Sequence, residues 1–114
     1  MNSRDTALMA AKAIDDKKGW DITILELKEV SLITDYFVIA NGNSRIQTQA
    51  IADNIEEELK KAGFSSVRRE GYTEGSWILL DYGFMIAHIF LKEQREFYSL
   101  ERLWGDAPRI PVQV

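Results

Sequence analysis

Two apolar runs, Trp77–Tyr82 and Met85–Leu91, stand two residues apart across Gly83 and Phe84. Strand-like runs joined by so short a connection pair antiparallel as a β-hairpin, so a sheet must lie at the centre of whatever this chain builds. Side chains alternate along a strand, which puts Trp77, Leu79 and Asp81 on one side and Ile78, Leu80 and Tyr82 on the other. The first side joins a large aromatic ring to a carboxylate. An unpaired buried carboxylate is costly, so this side is expected to border water or a partner, and it reads as a surface where something docks.

The remaining elements follow from periodicity. Ser3 to Lys17 places Ala7, Leu8, Ala11 and Ile14 at helical spacing, with lysines late and Gly19 just beyond. Asp21 to Leu27 alternates as a strand, and Thr34 to Ala40 carries the apolar run Tyr36-Phe37-Val38-Ile39, a buried strand that stops at Asn41-Gly42-Asn43. Ser44 then caps a helix to Ala62, with Gln47 spaced to reach back in a capping box and Ile51, Ile55 and Leu59 on one stripe. A short polar strand, Val67 to Glu70, precedes the hairpin. A last helix is expected over Glu93 to Trp104, its buried side formed by Phe97, Leu100, Leu103 and Trp104, with Tyr98 off that side. Gly105 to Val114 holds both prolines and reads as an extended or loose tail. The order of elements describes an α/β fold, a single domain with a mixed β-sheet flanked by helices.

With 114 residues the chain has room for one compact domain, and 46% apolar residues are enough for a core. It has no cysteine, which excludes disulfides, thiolate metal sites and cysteine nucleophiles. The start of the chain lacks a leader pattern, and no apolar run approaches the ~20 residues needed to span a bilayer, so an intracellular, cytoplasmic protein without a membrane partner is expected. Eighteen acids against 14 bases leave a net charge of -4, which disfavours direct attachment to nucleic acid.

Candidate chemistry is sparse. His88 sits inside a strand with no visible nucleophile or second imidazole, and reads as a packed, hydrogen-bonded structural histidine rather than a catalyst or metal ligand. Asn41-Gly42-Asn43-Ser44 joins a strand to a helix but lacks the further glycines and the lysine of a phosphate loop. No Asp-x-Asp is present for two-metal phosphoryl transfer. Asp35 and Asp81 read as turn or strand-end hydrogen-bonding residues.

Three segments taken together resemble the ribosomal silencing factor family, also called RsfS or iojap-like proteins. They are Ser31 to Ile39 followed by Gly42, Ser44, Gln47, Ala50, Ile51, Ala52 and Asp53; then Trp77, Asp81, Gly83 and His88; then Arg95, Tyr98, Leu100, Glu101, Leu103 and Trp104. The similarity covers about Thr6 to Gly105, giving a family domain over 1–105 and a tail over 106–114. It implies a nucleotidyltransferase-like fold without the catalytic motif, and hence no enzyme activity, cofactor or metal. It also implies a translational repressor that binds the large ribosomal subunit through ribosomal protein uL14, blocks joining of the small subunit when nutrients are scarce, and forms a homodimer when free. The docking surface carries over as Trp77, Leu79 and Tyr98, with Asp81 and Arg95 as polar neighbours. Phe84 departs from the family pattern, where an acidic residue commonly follows the hairpin glycine. The competing readings are a nucleotide-binding or nucleotidyltransferase-like enzyme using Ser44, Asp53 and Asp35, and a dimerisation module with no ribosomal role.

Overall fold

The computed structural model describes residues 2–112. Helix α1 (Ser3–Asp16) leads into strands β1 (Trp20–Glu26) and β2 (Tyr36–Gly42), and helix α2 (Arg45–Lys61) comes after them. Strands β3 (Arg68–Glu70), β4 (Trp77–Asp81) and β5 (Met85–Leu91) come next, then short helices α3 (Lys92–Tyr98) and α4 (Leu100–Leu103), and a last short strand β6 (Arg109–Ile110). The six strands form one mixed sheet in the order β3-β4-β5-β2-β1-β6. Only β2 and β5 run parallel, and these two lie at its centre.

The sheet has two unlike faces. On one, Tyr36, Val38, Ala40, Ile78, Leu80, Met85, Ala87 and Ile89 are buried under α1 and α2, which contribute Ala7, Ala10, Ala11, Ile14, Ile51, Ile55 and Leu59. Alanines on α1 let its backbone lie close to its neighbours, and each fully buried Ile or Leu here contributes about 1.5–3 kcal/mol. The caps match the sequence. Asn2 accepts from the Asp5 amide at 2.8 Å, and Ser44 accepts from the Gln47 amide at 3.1 Å. Gln47 reaches back to the amide of Asn43 rather than to the cap itself, and its own amide group donates to the carbonyls of Lys17 and Lys18, tying the start of α2 to the end of α1.

The opposite face carries a smaller cluster of Leu25, Leu27, Ile39, Phe90 and Ala107, against which Phe37, Trp77, Leu100 and Trp104 pack. Only α3, α4 and the segment after Gly105 lie near it, so the β4–β5 side of this face is thinly covered.

Two expectations for the C-terminal part are corrected. The last helix is not continuous: Ser99 takes a left-handed conformation, φ 47°, and separates α3 from α4. A stripe counted through that break mixes two helix axes. Phe97 is consequently 81% exposed and Leu103 73% exposed, although an unbroken helical period assigns both to the buried side. The segment after Gly105 is extended but not loose over its described part. Arg109 and Ile110 pair with β1, the Glu26 amide donates to the Pro108 carbonyl at 2.8 Å, and Ala107 and Ile110 are buried. The last two tail residues, 113 and 114, lie outside the described residues. Phe84, the departure from the family pattern, packs against Phe64 with ring centroids 5.5 Å apart, on the edge of the main core.

Gly71 precedes β4 at φ +78°, and a Cβ there would overlap the backbone carbonyl of Trp77, which cannot give way as a side chain could. Gly63 also has positive φ, +95°, but a Cβ there meets nothing. Gly71→Ala is therefore expected to lose about 2–3 kcal/mol in urea unfolding, against about 1 kcal/mol for Gly63→Ala, where only backbone strain operates. Equal losses would refute the close approach at Gly71.

Candidate partner-binding surface

Register builds the surface. Antiparallel pairing of β4 with β5 sets Trp77 opposite Phe90, Leu79 opposite His88 and Asp81 opposite Ile86, all on the thinly covered face. At its upper end the rings gather. The Trp77 indole stacks on Phe90 with centroids 5.0 Å apart, and Tyr98 of α3 meets Trp77 at 4.4 Å. Phe97 meets Tyr98 edge to face at 5.1 Å. Trp77 is half-buried, Tyr98 is 46% exposed, and Leu79 is partly exposed beside them. Trp77 and Tyr98 belong to different elements of the chain, and the fold brings them into ring contact.

Beneath this layer the histidine is structural. Trp77 Nε1 donates to His88 Nδ1 at 3.0 Å, the His88 ring lies 4.5 Å from Phe37 in an edge-to-face contact, and only 4% of the residue is exposed. A ring whose Nδ1 accepts an N–H is neutral and carries its proton on Nε2. Burial lowers the His88 pKa from 6.5 to about 4, because the cation cannot be solvated there.

Asp81 is held locally. One carboxylate oxygen accepts from the Gly83 amide at 2.8 Å, and the other lies 3.7 Å from the guanidinium of Arg68 on β3. It stays at the rim of the face, partly exposed, with its charge turned toward the turn and β3.

Arg95 is not on the surface, and the expectation that it neighbours a docked partner is corrected. It is 6% exposed and points inward from α3 toward the ends of β1 and β2. Its Nη1 donates to the Asp21 carbonyl and, at 3.1 Å, to Asn41 Oδ1; Nη2 donates to Thr23 Oγ1 at 3.1 Å and to Glu101 at 2.9 Å; Nε donates to the same Glu101 oxygen at 3.2 Å. A guanidinium has five N–H donors, and all five are engaged within the protein. Burial of a charge demands such complete pairing, and Glu101 supplies the counter-charge. Periodicity does not place Arg95 inside because an arginine is read as a surface residue by type.

The residues considered for nucleotide chemistry are apart and occupied otherwise. Ser44 caps α2, Asp53 accepts from the Tyr72 hydroxyl at 2.8 Å, and Asp35 lies in the connection before β2. Among the described residues no group of three or more His, Asp or Glu is placed to hold a metal ion. A crevice of about 350 Å³ opens beside Trp20, Asp21, Lys92, Glu96 and Arg102. Acids and bases are mixed around it, and the guanidinium of Arg95 at its wall has no free N–H for a ligand.

Similarity to known proteins decides the family. Residues 1–114 match the model of the family described as ribosomal silencing factor during starvation. The chain belongs to the ribosomal silencing factor family. It is 44% identical over 108 residues to the ribosomal silencing factor RsfS of Bacillus subtilis, covering 95% of this chain and 92% of that relative. A crystal structure of a Chromobacterium violaceum protein superposes with a TM-score of 0.90 at 32% identity, covering 100% of this chain and 94% of that one. More distantly, a mouse protein named mitochondrial assembly of ribosomal large subunit protein 1 is 31% identical over 99 residues, covering 84% of this chain and 43% of that protein. The α/β fold read from the sequence, a mixed sheet flanked by helices, is thus the fold of this silencing-factor family.

The neutral His88 has a measurable consequence. Between pH 6.5 and 4 the unfolded chain protonates this ring while the folded chain does not, so stability falls as pH falls, by about 3 kcal/mol over the full interval. Urea unfolding at pH 7 and pH 4.5 is expected to show a clearly smaller pH-dependent loss in His88→Gln, whose amide oxygen can still accept from Trp77. An unchanged loss would show that the ring does not titrate as its burial dictates.

Proposed function

We propose that this chain is a non-catalytic translational repressor that docks its Trp77–Leu79–Tyr98 face on the large ribosomal subunit, through protein uL14, and sterically blocks joining of the small subunit. The observation that carries this reading is the ring contact between Trp77 and Tyr98, two partly exposed aromatics from separate elements, flanked by the exposed Phe97 and the partly exposed Leu79. Tyr and Trp are the usual anchors of protein interfaces, because they offer large rigid contact area with little conformational entropy to lose. Membership of the ribosomal silencing factor family supports a ribosomal partner, and the name of the mouse relative supports the large subunit. Asp81 at the rim and the acidic balance of the chain favour a basic protein surface over nucleic acid.

Occlusion requires only that a bound domain occupy space the small subunit needs, so no reacting group is called for. That agrees with a site made of rings and one locally held carboxylate. The same reading includes a homodimer when the protein is free and a cytoplasmic location; among the described residues no helix is long and apolar enough to cross a membrane.

Co-sedimentation with isolated large subunits at physiological salt tests it. The wild-type protein is expected to pellet with the subunits and to lower the yield of joined ribosomes when small subunits are added afterwards. Tyr98→Ala and Leu79→Glu are expected to keep the fold and weaken binding by about 30-fold, the equivalent of about 2 kcal/mol. Trp77→Ala is a poorer probe, since it also leaves the buried Nδ1 of His88 without its donor. Wild-type affinity in both variants would sink the assignment of this face.

A further inference from the structure

The structure assigns Arg95 a positioning role: its buried guanidinium clamps α3 to the ends of β1 and β2 and to α4, and so presents Tyr98 against Trp77. The inference rests on the docking reading above, which makes those two rings the contact face.

The need for a clamp is visible in the backbone. Helix α3 has only seven residues, no side-chain cap at its start, and a left-handed residue, Ser99, at its end. So short a helix has little stability of its own and depends on tertiary contacts for its placement. Its outer residue Phe97 is exposed, and Tyr98 is only half covered, so apolar burial at this end of the helix is slight. Arg95 supplies what is missing. It is the one buried residue of α3, three positions before Tyr98.

The acceptors around it come from three elements that are well separated along the chain. Asp21 offers its carbonyl from a bulge in β1, where the register with β2 shifts and Asp21 itself takes φ 52°. Thr23 also belongs to β1, Asn41 to the end of β2, and Glu101 to α4 beyond the break. The Arg95 carbonyl also accepts the Ser99 amide at 2.9 Å, so the residue that anchors α3 to the sheet also closes its C-terminal turn. Asp21 and Ser99, both non-glycine residues with left-handed φ, are therefore hydrogen-bonded directly to Arg95. Backbone held in such regions persists when its surroundings over-determine it, and Arg95 contributes to this at both positions. Lysine cannot substitute. A single ammonium has three donors on a point charge and cannot reach four separated acceptors in one plane.

Preorganisation is the functional gain. A face whose rings are already in register loses less conformational freedom on binding than one whose tyrosine must be gathered from a mobile helix. Arg95 thus acts on the partner only through Tyr98.

The test uses the full chain, with Arg95→Lys as the main variant and Glu101→Gln as a milder one should the first fail to fold. NMR of the Trp77 indole N–H and the Tyr98 ring protons reads the clamp without any ribosome. Both sets of resonances are expected to shift toward unstacked values in Arg95→Lys, and less in Glu101→Gln. Large-subunit affinity is expected to fall about tenfold in Arg95→Lys, yet to change little when Arg95→Lys is added to Tyr98→Ala, because residues acting through one contact are not additive. Unmoved ring resonances in a folded variant, or losses that simply add, would overturn the positioning role. Should Tyr98→Ala and Leu79→Glu bind large subunits as well as wild type, the docking reading fails instead, while the ring shifts still decide whether Arg95 sets the geometry of Tyr98.

Discussion

The parallel pairing of β2 with β5 is the constraint on which the rest of this molecule hangs. Parallel neighbours cannot be joined by a tight turn; the chain must leave the sheet and return, and helix α2 with β3 and β4 fills that excursion. Strand-for-strand register runs from Tyr36 against Met85 to Gly42 against Leu91, so both strands are locked over their whole length. Helices α1 and α2 then cover one face densely. The other face receives only the chain beyond β5, two short helices and an extended segment. An asymmetric sheet, thick on one side and thin on the other, is the direct result, and the thin side is where a partner can reach strand residues.

That asymmetry gives the aromatic cluster its character. Trp77, His88, Phe37 and Phe90 would be ordinary core residues under a full helical layer. Here the indole is instead a boundary, with its N–H directed inward to His88 and its ring shared with Tyr98 at the surface. An aromatic side chain that is buried on one edge and open on another is rigid before any partner arrives. The polar groups nearby are satisfied internally, Asp81 by the turn and Arg95 by its five hydrogen bonds, so the surface offers outward chiefly ring and methyl area.

Most elements are legible in the chain because their signals are local. The hairpin is visible from two strand-length runs across Gly83, α2 from Ser44 and the Ile51, Ile55, Leu59 stripe, and the side of the sheet that Trp77 shares with Leu79 and Asp81 from alternation alone. The last quarter escapes where the signal stops being local. Ser99 carries no strong break signature, so one helical period runs through two helices and places Phe97 and Leu103 inside when they face solvent. Strand β6 is two residues long with prolines on either side, too short for any alternation to register.

The sequence by itself determined the kind of fold and the kind of surface: alternating apolar runs demand a sheet, helical stripes demand a layer over it, and a tryptophan sharing a side with an aspartate demands an edge to the core. Only the tertiary structure decided which side chains meet. Arg95 looks like a surface charge in the chain and becomes a fully hydrogen-bonded buried one, because Asp21, Thr23, Asn41 and Glu101, up to 74 positions away, converge on it. The Trp77–Tyr98 contact is of the same kind. Propensity and period act over a few residues, whereas pairing a buried charge or stacking two rings depends on distances that exist only once strands and helices have packed.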